Sequence, residues 1–118
     1  MEISAELHER INAFVEHVNE IVANYWKLQN FGAAPVYKAE YLSSKWCRIV
    51  TLREDKVVNA YAFICLKDGE TAAMGKVRAG DIHKATTTFN MPVKFPITNV
   101  FVEGFNNCAT PNGVVYRR

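Results

Sequence analysis

Apolar side chains recur at helical spacing through the first 31 residues of the chain. They follow one another in steps of three or four, at Ile3, Leu7, Ile11, Phe14, Val18, Val22 and Tyr25. This spacing places them in one stripe on a helix that runs from about residue 4 to 30. Ser4 suits the N-cap position, and Gly32 and Pro35 end the helix. We expect the stripe to cover the protein's own sheet, to pair with a second copy, or to do both.

After the helix the pattern changes to the alternation of β-strands. Residues 45–53 and 57–67 alternate along two strands, and the charged segment 54–56 forms the turn between them. The alternation predicts that Tyr61 and Phe63 share one face of the second strand. Shorter candidate strands lie further along the chain, at residues 72–77, 81–85, 99–103 and 113–117.

These elements predict one α+β domain over residues 1–118. A long amphipathic N-terminal helix (1–31) precedes an antiparallel, meandering β-sheet region (36–118). The length of 118 residues and the hydrophobic fraction of 49% are enough for one core. Residues 84–101 read as neither a clean strand nor a clean helix, and we interpret them as a ligand-binding loop.

Composition indicates where the protein works. No apolar run approaches the ~18 residues of a membrane span, and the N-terminus lacks the order of a signal peptide. Three widely spaced cysteines (Cys47, Cys65 and Cys108) are typical of a reducing compartment rather than of a disulfide framework. We therefore expect a cytoplasmic protein without a membrane partner.

Charge is distributed unevenly along the chain. Residues 1–31 carry five acidic and two basic side chains, a net charge of −3, so the total of +2 leaves +5 for residues 32–118. The basic part is where an anionic partner would bind. A charge of +5 over this length is low for a nucleic-acid-binding domain.

The irregular stretch carries side chains that suit a small nucleotide. Lys84 and Lys94 supply positive charge, and the Thr88 hydroxyl can bond to phosphate or ribose oxygens. Phe89 can stack on a base, and the Asn99 amide can pair with a base edge. Each residue also has a structural alternative, since Phe89 would suit the edge of the core and Asn99 would suit a turn.

Motifs for catalysis and for metal binding are missing from the sequence. It has no glycine-rich phosphate loop, no serine nucleophile motif, and no histidine or cysteine spacing typical of zinc sites. We therefore expect a protein that is not an enzyme and that needs no cofactor or metal.

Residues 80–85, Phe89, 92–94 and 99–101 resemble the pattern G-D-I-Y-K-A-A-S-W-K-A-P-A-K-x-x-R-G-N-I-F. This pattern is that of the phage Thoeris anti-defence sponge family, first type. Two upstream strands and the ending at residues 113–116 extend the resemblance over roughly residues 44–118. The resemblance implies a protein that sequesters, without cleaving it, a cyclic ADP-ribose isomer made by a TIR-domain sensor. Such proteins act in the host bacterial cytoplasm, and some also bind cyclic oligonucleotides.

The resemblance also implies an assembly and a binding site. Family members form homodimers that assemble into hexamers, with the ligand held between protomers. Phe89 takes the place of the aromatic residue that stacks on the base, and Asn99 that of a polar contact to base or ribose. Arg48 lies where a strand residue would meet phosphate, and Arg117 and Arg118 lie where C-terminal arginines close the pocket.

Two departures from the family pattern bear on which ligand is bound. The usual tryptophan is Phe89, which offers less stacking area. The usual Arg-Gly before the asparagine is Ile97-Thr98, which removes a phosphate partner. Two other classes of function stay open: a small phage-type nucleic-acid-binding domain, and a protein-interaction module whose helix faces the partner.

Overall fold

The computed structural model describes residues 4–71, 75–85, 92–93, 95–111 and 113–114. The predicted α+β architecture is confirmed: one long N-terminal helix precedes an antiparallel sheet of five strands. Helix α1 spans Ala5–Gln29, and a short 3₁₀ helix spans Phe105–Cys108. The strands are β1 Val36–Tyr41, β2 Trp46–Arg53, β3 Lys56–Cys65, β4 Gly69–Thr71, β5 Gly75–Val77, β6 Asp81–Lys84, β7 Thr98–Asn99, β8 Ala109–Thr110 and β9 Gly113–Val114.

Both ends of helix α1 are capped. The backbone N–H of Leu7 donates to the Ser4 hydroxyl at 3.0 Å, so the predicted N-cap is confirmed. At the other end Asn30 takes a left-handed conformation, with φ of 58°, and its N–H bonds back to Lys27. This αL residue ends the helix before the chain turns towards β1.

The helix stripe packs on the protein's own sheet. Its central members, Leu7, Ile11, Phe14, Val18 and Val22, are all buried in the core. A pair of hydrogen bonds fixes the helix against the first strand, because the Asn19 amide accepts from Tyr37 N at 2.7 Å and donates to Tyr37 O at 3.0 Å. Hydrophobic burial and this amide pair together set where the helix lies.

The main sheet has the strand order β1-β2-β3-β6-β7, and β4 with β5 and β8 with β9 form two small hairpins. We call the side of the main sheet that faces α1 the helix side, and it carries Ile49, Ala62, Ile64 and Ile82. We call the opposite side the outer side. It carries the row Glu40, Arg48, Phe63 and His83, which are direct neighbours across β1, β2, β3 and β6.

Two strand predictions from the sequence need correction. Strand β1 was not predicted, because only Tyr37 is buried in a segment whose other residues are exposed or half-buried. The predicted strand at 99–103 is wrong: β7 ends at Asn99, and the chain turns through Gly104, with φ of 78°, into the 3₁₀ helix. The predicted strand at 72–77 is described only from Gly75, and that at 113–117 only to Val114.

The predicted alternation along β3 fails at Tyr61. The register of β2 against β3 shifts between Ile49 and Val50, where one extra residue enters β3. As a result Tyr61 packs in the helix-side core beside Ala62, whereas Phe63 lies on the outer side. The expectation that Tyr61 and Phe63 share a face is therefore wrong. The Tyr61 side chain lies on the helix side of the sheet instead.

The β2–β3 hairpin closes through a turn with unfavourable residues. Arg53 pairs with Lys56, which leaves Glu54 and Asp55 as a two-residue loop with φ of 52° and 65°. Positive φ at both positions defines a type I′ turn, for which Asn-Gly is the preferred sequence. Glutamate lacks the short polar side chain that eases the left-handed conformation, so the turn stores strain.

Replacing this loop with Asn-Gly should stabilise the fold. The double variant Glu54→Asn/Asp55→Gly relieves the left-handed strain and is expected to raise the free energy of unfolding by about 1 kcal/mol. Urea denaturation followed by circular dichroism measures the change. The control Glu54→Gln/Asp55→Ser removes the same two charges without the preference for positive φ. Equal stabilisation by both variants would assign the effect to charge and contradict the turn argument.

Candidate functional site

The irregular stretch of the sequence is held at its base by backbone hydrogen bonds. Val93 N donates to Lys84 O at 2.8 Å, and Ile97 N donates to Ile82 O at 2.7 Å. Ala85 and Pro92 form a further bridge between the two arms of the stretch. The described residues on either side of the segment 86–91 are therefore joined to each other at the end of β6.

The predicted site residues divide into two groups. Arg48, Lys84 and Asn99 lie within the described residues. The others, Thr88, Phe89, Lys94, Arg117 and Arg118, lie outside the described residues, and their assignments stay predictions from the sequence.

Asn99 lies in a hydrogen-bonded junction at the edge of the sheet. Its Nδ2 donates to Ala79 O and to Asp81 Oδ1, both at 3.0 Å, and its Oδ1 accepts from Phe101 N at 2.8 Å. Gly80 completes the junction: its φ is 93°, and a Cβ there would lie 2.8 Å from Asn99 Oδ1. The amide of Asn99 is thus already used to join β6, β7 and the following turn.

Arg48 lies on the outer side of the sheet, in the middle of the row defined above. Its guanidinium forms an ion pair with Glu40 on the neighbouring strand, and 20% of its side chain remains exposed. Trp46 packs edge-on against Phe63 and His83, with ring centroids 6.3 and 5.2 Å away. The outer side therefore presents a basic group and one half-buried aromatic ring, Trp46, above the buried rings of Phe63 and His83.

The structure separates two of the predicted basic residues. Lys84 is the neighbour of Ala62 across the strand pair, and Ala62 faces the helix side. Arg48 is the neighbour of Phe63 and faces the outer side. Lys84 and Arg48 consequently lie on opposite sides of the sheet and do not converge on one ligand atom.

A cavity of about 280 Å³ adjoins the two positions where the sequence departs from the family pattern. Ile97 and Thr98 line one part of it, and Glu103 is the only charged residue among the described residues that line it. A carboxylate repels phosphate, so this cavity does not offer the anion contact that an arginine at position 97 would provide.

His83, in the row on the outer side of the sheet, is fully buried. Its Nδ1 lies 2.7 Å from Val93 O, to which it donates, and its Nε2 has no hydrogen-bond partner within the described residues. Burial lowers the pKa of His83, while the Val93 carbonyl and Asp81 oppose that shift. The imidazole is therefore neutral, and its hydrogen bond to Val93 joins β6 to the base of the loop.

The structure also contains an aromatic cleft that the sequence analysis missed. Trp26, Tyr37, Arg53 and Tyr61 line a volume of about 320 Å³ between the end of α1 and the β2–β3 hairpin. The β3 bulge turns Tyr61 to the helix side, and no local sequence pattern predicts that change. The one feature of the sequence that could have indicated the cleft is Trp26, which directly follows the last residue of the helix stripe.

No protein-family model matches the chain, and no curated protein or solved structure is significantly similar to it. Among the described residues no cluster of three histidine, cysteine or acidic side chains is placed to hold a metal ion. Within the same part of the chain, no helix combines the length and apolarity needed to cross a membrane.

Removing the Asn99 amide should destabilise the fold. Asn99→Ala deletes three hydrogen bonds in a half-buried junction, and we expect the free energy of unfolding to fall by about 2 kcal/mol. Thermal and urea denaturation measure the loss. Asn12→Ala, on the exposed face of α1, is the control and should leave stability unchanged or slightly raised. An unchanged stability in Asn99→Ala would show that the junction does not depend on this amide.

His83 should make folding sensitive to mild acid. Since its pKa is lower in the folded state, the unfolded chain binds the proton more readily as pH falls through about 6.5. Stability is then complete above this pH and is lost below it, down to the lowered pKa. Urea denaturation at about pH 7.5 and about pH 5.5 should show a smaller loss in His83→Gln than in the wild-type chain. His17→Gln is the control and should retain the wild-type loss, whereas equal losses in all three proteins would contradict the assignment.

Proposed function

We propose that the protein is a non-catalytic binding protein that captures a cyclic nucleotide immune signal. The observation that supports it best is the closed base of the 86–91 segment, which contains Thr88 and Phe89. Backbone hydrogen bonds at Lys84–Val93 and Ile82–Ile97 hold the described residues that flank that segment on the sheet. A binding loop with a fixed base has less conformational freedom to lose when its ligand binds.

The chemistry of the outer side is compatible with such a ligand. The Arg48 side chain, 20% of which is exposed, lies on the same side as the half-buried ring of Trp46, which packs on buried Phe63. Guanidinium groups bind phosphate through two parallel hydrogen bonds, and aromatic rings stack on bases. Glu40 already pairs with Arg48, so a phosphate has to share or displace that carboxylate.

The proposed ligand is a cyclic ADP-ribose isomer from a TIR-domain sensor, and cyclic oligonucleotides are a further class. The proposal rests on the resemblance of residues 80–101 to the Thoeris anti-defence sponge family together with the base of the loop. Lys94, Arg117 and Arg118 are proposed as additional contacts, with Arg117 and Arg118 reaching the pocket in a homodimer or hexamer. The protein would act in the host bacterial cytoplasm, in the absence of any cofactor.

Sequestration needs affinity rather than turnover. A binding protein lowers the free signal by mass action when its concentration exceeds both the signal concentration and the dissociation constant. A slow off-rate then keeps the signal from the effector for the length of the infection. The absence of catalysis is part of the proposal, because the ligand must leave the protein unchanged.

Substitutions at the outer side and, separately, at Phe89 test the proposal. In an equimolar mixture with a cyclic ADP-ribose isomer, the wild-type protein should lower the free ligand concentration, as measured by ultrafiltration and chromatography. Arg48→Ala should weaken binding by about tenfold or more, because it removes a charged phosphate contact. Glu40→Gln should tighten binding, because it removes the competing carboxylate from Arg48. Phe89→Ala should abolish capture by deleting the stacking partner.

The matched controls come from a second ion pair on the helix. Arg10 pairs with Glu6 at 3.9 Å on α1, so Arg10→Ala and Glu6→Gln remove the same groups on the side of the sheet opposite Arg48. Glu6→Gln is the stricter control, because Arg10 also lies over the ring of Phe101. Both should bind like the wild-type protein. An unchanged free ligand concentration with the wild-type protein would refute the proposal. Steeply salt-dependent binding of oligonucleotides would instead support the nucleic-acid-binding alternative.

A further inference from the structure

The aromatic cleft named above lies where several elements meet at one end of the helix side. Helix α1 contributes Trp26, β1 contributes Tyr37, β2 contributes Arg53, and β3 contributes Asn59 and Tyr61. The volume of about 320 Å³ is at the lower end of the range for small-molecule sites, about 300–1,000 Å³. A cleft of this size can hold one base with its sugar and phosphate, but it is too small for a cyclic dinucleotide.

The aromatic walls of the cleft are held in place by neighbouring contacts. Tyr37 and Tyr61 pack edge to face, with ring centroids 5.1 Å apart. The Tyr61 hydroxyl donates to Thr110 O at 2.7 Å and accepts from Thr110 N at 3.1 Å, so the segment before β9 fixes this ring. Trp26 is braced by the edge of Phe31 at 5.4 Å. Tyr37 and Tyr61 are 7% and 6% exposed, so only a small part of each ring faces the cleft, and half-buried Trp26 supplies the more accessible aromatic wall.

Arg53 provides the charge of the cleft. Its guanidinium lies over the Trp26 ring, 4.8 Å from the centroid, and its side chain is exposed. Within the described part of the chain Arg53 forms no ion pair, and it is the only charged residue that lines the cleft. A guanidinium stacked on an indole is oriented while its edge stays open to an anion.

Two further polar groups lie within the same cleft. The Asn59 side chain is exposed, and its Oδ1 accepts from Ala60 N at 2.8 Å, which leaves the amide nitrogen without a hydrogen bond among the described residues. The Thr51 hydroxyl bonds to Tyr37, and it and Arg53 oppose the rise that burial causes in the Tyr37 pKa. An amide donor and a fixed phenol can orient a polar ring edge.

We propose that this cleft is a binding site for a nucleoside monophosphate, separate from the loop at 84–101. The base packs against Trp26 and the small exposed parts of Tyr37 and Tyr61, Arg53 binds the phosphate, and the Asn59 amide bonds to the ring edge or the ribose. The proposal uses only residues of the cleft and does not depend on the proposed capture of a cyclic signal. It would add a second nucleotide-responsive site to the protein.

Tryptophan fluorescence tests the proposal directly, with AMP as the probe. In a Trp46→Phe background Trp26 is the remaining tryptophan, so a change in emission reports on the cleft. We expect a saturable change with a dissociation constant below about 1 mM. Adenosine and inorganic phosphate should each bind at least about tenfold more weakly, because each lacks half of the contacts.

Three variants decide which residues are responsible. Arg53→Ala should weaken AMP binding about tenfold or more, whereas Arg10→Ala should not, although Arg10 also lies over an aromatic ring, Phe101, at 5.9 Å. Asn59→Asp places a carboxylate in the cleft and should also weaken binding, which gives a second test at an exposed position.

Three outcomes would overturn the proposal. The first is an emission change that does not saturate, and the second is an equal effect of Arg53→Ala and Arg10→Ala. The third is loss of AMP binding in Phe89→Ala, because it would show that the cleft is not a site of its own.

Discussion

The burial of one helical stripe against one side of the sheet is the constraint on which the fold depends. Leu7, Ile11, Phe14, Val18 and Val22 are all removed from solvent in one core that they share with helix-side residues of the sheet and with Phe105 and Cys108 of the 3₁₀ helix. In a domain of this size a single core supplies most of the stability. The position of the helix, the order of the strands and the side of the sheet that each strand residue faces follow from this burial. The outer side, which α1 does not cover, can therefore carry Arg48 and Trp46.

The periodic parts of the fold could be predicted because they follow from local sequence. The helix, its Ser4 cap and the β2–β3 hairpin are each encoded by neighbours a few residues apart. Strand β1 could not be predicted, because it is held by its partner strand and by Asn19 rather than by its own alternation. The bulge opposite Ile49 could not be predicted either, since a register shift depends on both strands at once.

The candidate site follows the same division. Arg48 and Asn99 could be picked out as polar groups in a basic, strand-rich region, but their partners could not. The Glu40–Arg48 pair and the contacts of Asn99 with Asp81 and Phe101 join segments that are distant in sequence or bent by a turn. The cleft under Arg53 brings four elements together, so only the folded chain reveals it. Tertiary contacts thus change the roles predicted for individual residues more than they change the predicted helices and strands.

The two proposed sites make different demands on the chain. Capture of a cyclic signal relies on a loop whose base is held by β6, whereas the cleft relies on rings fixed by α1 and the β2–β3 hairpin. The neutral, buried His83 links the outer side to the loop through Val93. Two backbone hydrogen bonds, Val93 to Lys84 and Ile97 to Ile82, take the place of regular strand pairing along this edge of β6.

Identifying the molecules that the protein retains decides whether it captures a cyclic nucleotide. The protein is incubated with a mixture of cyclic ADP-ribose isomers and cyclic di- and trinucleotides, washed, and denatured by heat, and the released molecules are identified by mass spectrometry. One cyclic nucleotide should be recovered intact from the wild-type protein and not from Phe89→Ala. Recovery of a cleaved product would make the protein an enzyme, and recovery of no nucleotide would contradict the capture of a cyclic signal.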